Sequence, residues 1–150
     1  MAWQEWVRGS EVEPSLYAAD FSRLGEQIEV LLRAGCRIFH FDVGDGHFVE
    51  PITIGPVVLA SIAPLVHEAG GILDCHLMVD NPLRHFPQIA RAGGDSATFH
   101  YEVVDASGLR VLPLGEEWPA FAHPSRPEFL LTLPHVHGTS GFFVARLARD

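Results

Sequence analysis

Between Glu11 and His100, short β-like runs alternate with helical runs across short joints, and this rhythm admits few folds. Strand, helix and strand in that order form right-handed βαβ units around a parallel sheet. A first strand is expected at Glu11–Leu16. Asp20 reads as the N-cap of a helix whose buried stripe would be Phe21, Leu24, Ile28 and Leu31, with Gly35 as its stop. Arg37–Val43 (RIFHFDV) is a second strand, followed by a loop punctuated by Gly44, Gly46 and Pro51. Gly55-Pro56 opens a second helical run through Leu65, and Gly71–Met78 (GILDCHLM) is a third strand. Asn81-Pro82 has cap-then-proline chemistry for a third helix, which ends near Gly93-Gly94, and Ser96–His100 is a fourth strand.

Composition narrows the function. The chain has 150 residues, 47% hydrophobic and 19% charged, enough for one globular core. No apolar run approaches the roughly 20 residues that cross a bilayer, so no membrane span is expected. Glu5 and Arg8 interrupt the N-terminus, which reads as lacking a secretory signal, and a cytoplasmic location is expected. A net charge of −9 argues against sequence-independent nucleic-acid binding. It does not exclude an anionic substrate, because backbone amides at helix ends bind phosphate unaided. All 10 cationic residues are arginine, which removes Schiff-base, P-loop and Ser-Lys chemistry. Cys36 and Cys75 lie in apolar stretches and read as two buried thiols in a reducing compartment.

After about Asp105 the alternation stops. Pro113, Pro119, Pro124, Pro127 and Pro134 fall in a stretch of weak patterning, with a strand expected at Phe129–Leu133 and a short helix at Phe142–Leu147. Residues 106–150 therefore read as a Pro-rich, irregular tail on residues 1–105, adding at most one further strand and forming no separate domain.

The chemistry lies in the strand parities. Period-2 alternation puts Ile38, His40 and Asp42 on one face of the second strand, with Phe39, Phe41 and Val43 on the other. The third strand repeats this, with Asp74, His76 and Met78 opposite Leu73, Cys75 and Leu77. In a barrel the polar residues would gather at the strands' C-terminal ends, where such folds place their sites. His40, Asp42 and His76 would then offer two imidazoles and one carboxylate, a set suited to zinc, iron or manganese with open coordination positions. On spacing alone, a hydrogen-bonded structural pair is the commoner reading of H-x-D.

The same segments carry a resemblance. EPSLYAADFSRLGEQI, HFDVGDGHFVEPITIGP, LDCHLMVDNPLRHF and AGGDSATFHYE, in this order and spacing, resemble the ribulose-phosphate 3-epimerase family over residues 13–105. The resemblance implies the first four βα units of a TIM barrel of the ribulose-phosphate-binding type. It also implies metal-assisted inversion at C3 of a ketopentose phosphate. Carried over by position, Ser15, His76 and Met78 would contact substrate. His40, Asp42 and His76 would hold a divalent metal (zinc, iron, manganese or cobalt), and Asp42 would also be one of two acid/base carboxylates. Removing a proton beside a carbonyl leaves an enediolate whose charge needs a Lewis acid, and two proton-transfer groups must flank the substrate.

Other features depart from the family. The second catalytic aspartate and the phosphate-binding glycine loops have no counterpart after Ala106, and Gly138-Thr139-Ser140-Gly141 does not supply one. Gly44 stands where the family usually carries a methionine, and Val49-Glu50-Pro51 replaces Val-Pro-Asn. The alternative to an active epimerase is therefore a truncated or diverged homologue that retains metal or ligand binding, or serves protein interaction. An open half-barrel exposes sheet edges and an apolar lumen, so a homo-oligomer covering them is expected.

Six other histidines have structural readings. His47 would fix its loop, His67 and His85 would sit on helix surfaces, and His100 would line the lumen structurally. His135 and His137 would lie in an exposed loop. Trp3 and Trp6 would cover an apolar edge, and Trp118 would anchor the tail.

Overall fold

The computed structural model describes residues 12–103, 109–117, 119–122, 124–126, 130–132, 142–144 and 146–149. The chain divides into two compact units, Met1–Val103 and Val104–Asp150. The first is an α/β unit, a partial barrel whose three-stranded parallel sheet is not closed. Its strands are β1 (Ile38–Gly44), β2 (Ile72–Met78) and β3 (Ser96–Phe99), in the order β1-β2-β3. Its helices are α1 (Leu24–Arg33), α2 (Pro56–Glu68) and α3 (Pro82–Ala92).

The first expected strand shrinks to one contact. Ser15 makes an isolated parallel bridge with His40, and the His40 N–H donates to the Pro14 carbonyl. Pro14 has no N–H of its own to give a ladder, and the chain turns at once into a 3₁₀ turn at Leu16–Ala18. Asp20 does cap, accepting from the Ser22 N–H, but the element it caps is a 3₁₀ turn at Phe21–Arg23. The α-helix begins only at Leu24, which moves its buried stripe to Leu24, Ile28 and Leu32. Leu31 is half-buried and Phe21 is exposed. Asn81 precedes α3 without a side-chain cap bond, and its Oδ1 is buried without a partner. Gly93 ends α3 at φ +97°, a left-handed conformation that favours glycine.

The parity of the two central strands is as expected. Phe39, Phe41, Leu73, Cys75 and Leu77 are fully buried and pack with Ile28, Leu59 and Val66 of the helices. Cys36 is half-buried rather than buried, and both cysteines are free thiols.

The second unit holds more strands than the one further strand expected of the tail. Four short strands form two antiparallel pairs: β4 (Leu109–Leu112) with β7 (Arg146–Arg149), and β5 (Leu130–Thr132) with β6 (Phe142–Val144). The expected strand near Phe129–Leu133 is present as β5. The expected helix over Phe142–Leu147 is replaced by β6 and the start of β7. A six-residue helix is marginal in isolation, and Phe142, Phe143 and Val144 suit a strand once a partner is available. Trp3, Trp6, Trp118, His135, His137 and the Gly138–Gly141 segment lie outside the described residues.

Candidate active site

β1 and β2 run in register, with His40 opposite Asp74, Asp42 opposite His76 and Gly44 opposite Met78. Residues two apart on each strand face the same way, so polar residues rise in layers on the side away from the apolar core. Asp42 is the hub of the upper layer. Its Oδ1 lies 3.2 Å from His40 Nε2 and 3.1 Å from His76 Nδ1, and its Oδ2 accepts a 2.5 Å hydrogen bond from the Ser15 hydroxyl. The structure thus brings Ser15, His40, Asp42 and His76 together. Met78 is half-buried at the end of β2, one layer further along.

The donor set fits a divalent cation. His40, Asp42 and His76 each offer one ligand atom, and these atoms lie within 4.8 Å of one another. Two imidazoles and a carboxylate suit a first-row divalent metal and leave coordination positions for substrate. The site also stays reachable: the side chains of His40, Asp42 and His76 are 27%, 14% and 24% exposed.

A second polar layer lies beneath, and composition alone does not single it out. His40 Nδ1 faces Asp74 Oδ2 at 3.5 Å and Glu13 Oε1 at 3.7 Å, while the Ser96 hydroxyl donates to Asp74 Oδ1. Burial, with the Asp74 carboxylate next, raises the Glu13 carboxyl above its ordinary range, and His40 offsets this only in part. Glu13 and Asp74 sit two residues before Ser15 and His76, so strand parity is the signal that points to them. His100 is the other neighbour. Its Nε2 lies 2.9 Å from His76 Nε2, and its ring lies against Phe48.

The loop after β1 is held by its own polar groups. Asp45 Oδ1 accepts the N–H groups of His47 and Phe48, and Oδ2 accepts that of Asp80 beyond β2. Partial burial pushes this carboxyl up, but the three N–H donors outweigh it and hold it below its ordinary range. The His47 backbone thus helps fix the loop, and its side chain is exposed. Thr53 Oγ1 donates to the Asp42 carbonyl at 2.6 Å and accepts from the Gly44 N–H at 2.6 Å. This folds the loop onto Gly44, where a Cβ would meet the Pro51 carbonyl at 2.8 Å and Val49 Cγ2 at 3.0 Å. The loop therefore leaves no room for a side chain at position 44 without a shift of the Pro51 carbonyl.

Residues 11–112 match the model of the ribulose-phosphate 3 epimerase family. The chain belongs to the ribulose-phosphate 3-epimerase family. Among its relatives, the ribulose-phosphate 3-epimerase of Synechocystis sp. is 40% identical over 121 residues, which are 77% of this chain and 51% of that protein. The enzyme of the same name from Mycobacterium leprae is 46% identical over 99 residues, 65% of this chain and 41% of the relative. That from Bacillus subtilis is 41% identical over 92 residues, 61% and 41% respectively. The chain spans about half or less of the length of these epimerases, and the matched part holds the whole layered site.

His67 and His85 lie on α2 and α3, away from this site. His67 is exposed and its Nε2 is 2.9 Å from Asp95 Oδ2, which also accepts the Leu73 N–H; His85 is half-buried. Among the described residues no helix is long and apolar enough to cross a membrane.

Proposed function

We propose that this chain carries a metal-assisted proton-transfer site acting at C3 of a ketopentose phosphate, the chemistry of a ribulose-phosphate 3-epimerase. The observation that carries the reading is the convergence of three side chains on one carboxylate: His40, His76 and Ser15 all meet Asp42.

His40, Asp42 and His76 would hold a divalent cation of the zinc, iron, manganese or cobalt class. When bound, the cation offsets the negative charge that develops on the substrate oxygens beside C3. Asp42 removes the C3 proton through its carboxylate, and the Ser15 hydroxyl at Oδ2 orients that carboxylate and contacts the substrate. Met78 closes the apolar side of the reacting carbon from the end of β2. The Thr53 hydroxyl on the Asp42 carbonyl and the Asp45 bonds across the loop keep the base from drifting, and small misplacements of a base are costly.

Inversion needs a second acid on the opposite face. Glu13 and Asp74 lie in the layer below, against His40 Nδ1, and so do not face Asp42 across a substrate. Because the family's second catalytic aspartate has no counterpart in this sequence, exchange of the C3 proton with solvent is expected to be much faster than inversion of the centre. The test is deuterium incorporation at C3 of ribulose 5-phosphate in heavy water with added Mn²⁺. Exchange should be measurable for the wild type and fall about 100-fold or more in Asp42→Asn, the usual scale of a general base. Absence of exchange, or equal exchange in that variant, would contradict the reading.

A further inference from the structure

Each ring nitrogen of His76 meets a different group. Nδ1 lies 3.1 Å from Asp42 Oδ1, and Nε2 lies 2.9 Å from Nε2 of His100. Two imidazole nitrogens at that distance share one proton, donated by one ring and accepted by the other. His100 follows β3, its ring nearly parallel to that of His76, with centroids 5.0 Å apart and planes at 19°. Phe48 packs on it with centroids 4.7 Å apart, and its other nitrogen, Nδ1, is 3.7 Å from Glu102 Oε2.

We propose that His100 is a positioning residue for His76, accepting its Nε2–H and so leaving the Nδ1 lone pair to a cation beside Asp42. The proposal rests on the metal reading of the site given above. A ligating imidazole must present a bare nitrogen, and which nitrogen is bare is set by the partner of the other one. Asp42 acts only as an acceptor, so without a cation it draws the His76 proton to Nδ1, and His100 donates from Nε2. With a cation bound there, His76 would give up that Nδ1 proton to solvent. The His100 proton then passes across the 2.9 Å contact to His76 Nε2, and His100 takes up a solvent proton at Nδ1, on the Glu102 side. Each ring loses one proton and gains one, so both stay neutral next to the incoming charge. An apolar neighbour in place of His100 leaves His76 Nε2–H without an acceptor in a half-buried position.

The experiment titrates Co²⁺ into the whole chain as wild type, His100→Phe and His100→Gln, read by visible absorption. In parallel, ring ¹⁵N shifts of the wild type are recorded at pH 8.5 with and without Zn²⁺. Phenylalanine keeps an aromatic ring beside Phe48 but accepts nothing; the glutamine carbonyl reaches the position of Nε2. Co²⁺ should bind about 10- to 100-fold more weakly to His100→Phe, the usual cost of losing such a partner, and glutamine should restore most of the loss. His76 should carry its proton on Nδ1 without metal and on Nε2 with Zn²⁺. Wild-type affinity in His100→Phe, or a His76 Nε2 that is unprotonated in the Zn²⁺ form, would overturn the proposal. A wild type that binds neither ion would overturn the metal site itself, and the positioning role with it. If His100→Phe does not fold, the wild-type ¹⁵N result decides alone.

Discussion

The two faces of the β1–β2 pair come from the same two strands and do opposite work. On one face Phe39, Phe41, Leu73, Cys75 and Leu77 are fully buried, and their task is met by any side chains of the right volume and polarity. On the other face His40, Asp42 and His76 keep partial access to solvent, Asp74 is buried beneath them, and the four meet at 3.1–3.5 Å. Their arrangement adds little stability, since partly exposed charge pairs rarely do, and it has no apolar substitute. The comparison teaches that the core face sets whether the chain folds, and the polar face sets what the folded chain can hold.

The largest separation of the two faces should come from Phe41→Ala. Removing a fully buried aromatic ring costs about 3–5 kcal/mol, a large part of a domain's stability. Urea unfolding should show a correspondingly lower midpoint. Gly44→Met places the family's usual residue where the loop now lies, against the Pro51 carbonyl. Overpacking of this kind costs about 1–3 kcal/mol, so thermal unfolding should move down, and a neutral result would show that the loop yields freely. Asp45→Ala should follow at about 1–2 kcal/mol at neutral pH, the scale for losing hydrogen bonds to a charged acceptor. Because the folded Asp45 carboxyl titrates below its ordinary 3.8, its contribution is present above that pH and is lost as pH falls through the lower folded value. The gap between wild type and Asp45→Ala should therefore close in strong acid, and a gap that widens there would contradict the assignment.

The smallest effect on folding should be that of Asp42→Asn, about 1 kcal/mol, because the amide is isosteric and its oxygen still accepts from Ser15 or a histidine, although it removes the proposed base. On the core face, burial, with the nearby Asp74 and Asp95 carboxylates, pushes the Cys75 thiol up to about 12. Cys75 should therefore resist alkylation at pH 8 in the folded chain, while half-buried Cys36 reacts. Equal labelling of the two would show that the sheet opens locally.

What the sequence discloses depends on how local the signal is. The parity of β1 and β2 follows from a period of two within a single strand, so both faces are legible from the residues alone. The stripe of α1 is displaced from Leu31 to Leu32 because a 3₁₀ turn at Phe21–Arg23 delays the helix, a shift in phase that propensity does not encode. Phe142–Leu147 reads as a helix in isolation because the partners of β6 and β7 lie far away, at 130–132 and 109–112. The convergence of His40, Asp42 and His76 is readable from parity combined with the family motifs. Parity also puts Asp74 on the correct face, but its contact with His40 depends on inter-strand register. Glu13, beside a single-residue bridge, and His100, just beyond a strand end, are likewise placed by parity while their contacts with His40 and His76 are not disclosed by it.

The polar face of β1 and β2 should be a preformed cation site centred on Asp42. Its most direct measurement is the melting temperature of the 150-residue chain against Mn²⁺ or Zn²⁺ concentration, for the wild type and His40→Ala. A ligand that binds only the folded state at 100 times its Kd adds about 2.7 kcal/mol. The wild type should therefore melt progressively higher with metal, while His40→Ala melts near the metal-free wild type at every concentration. No rise in the wild type, or the same rise in His40→Ala, would contradict the claim.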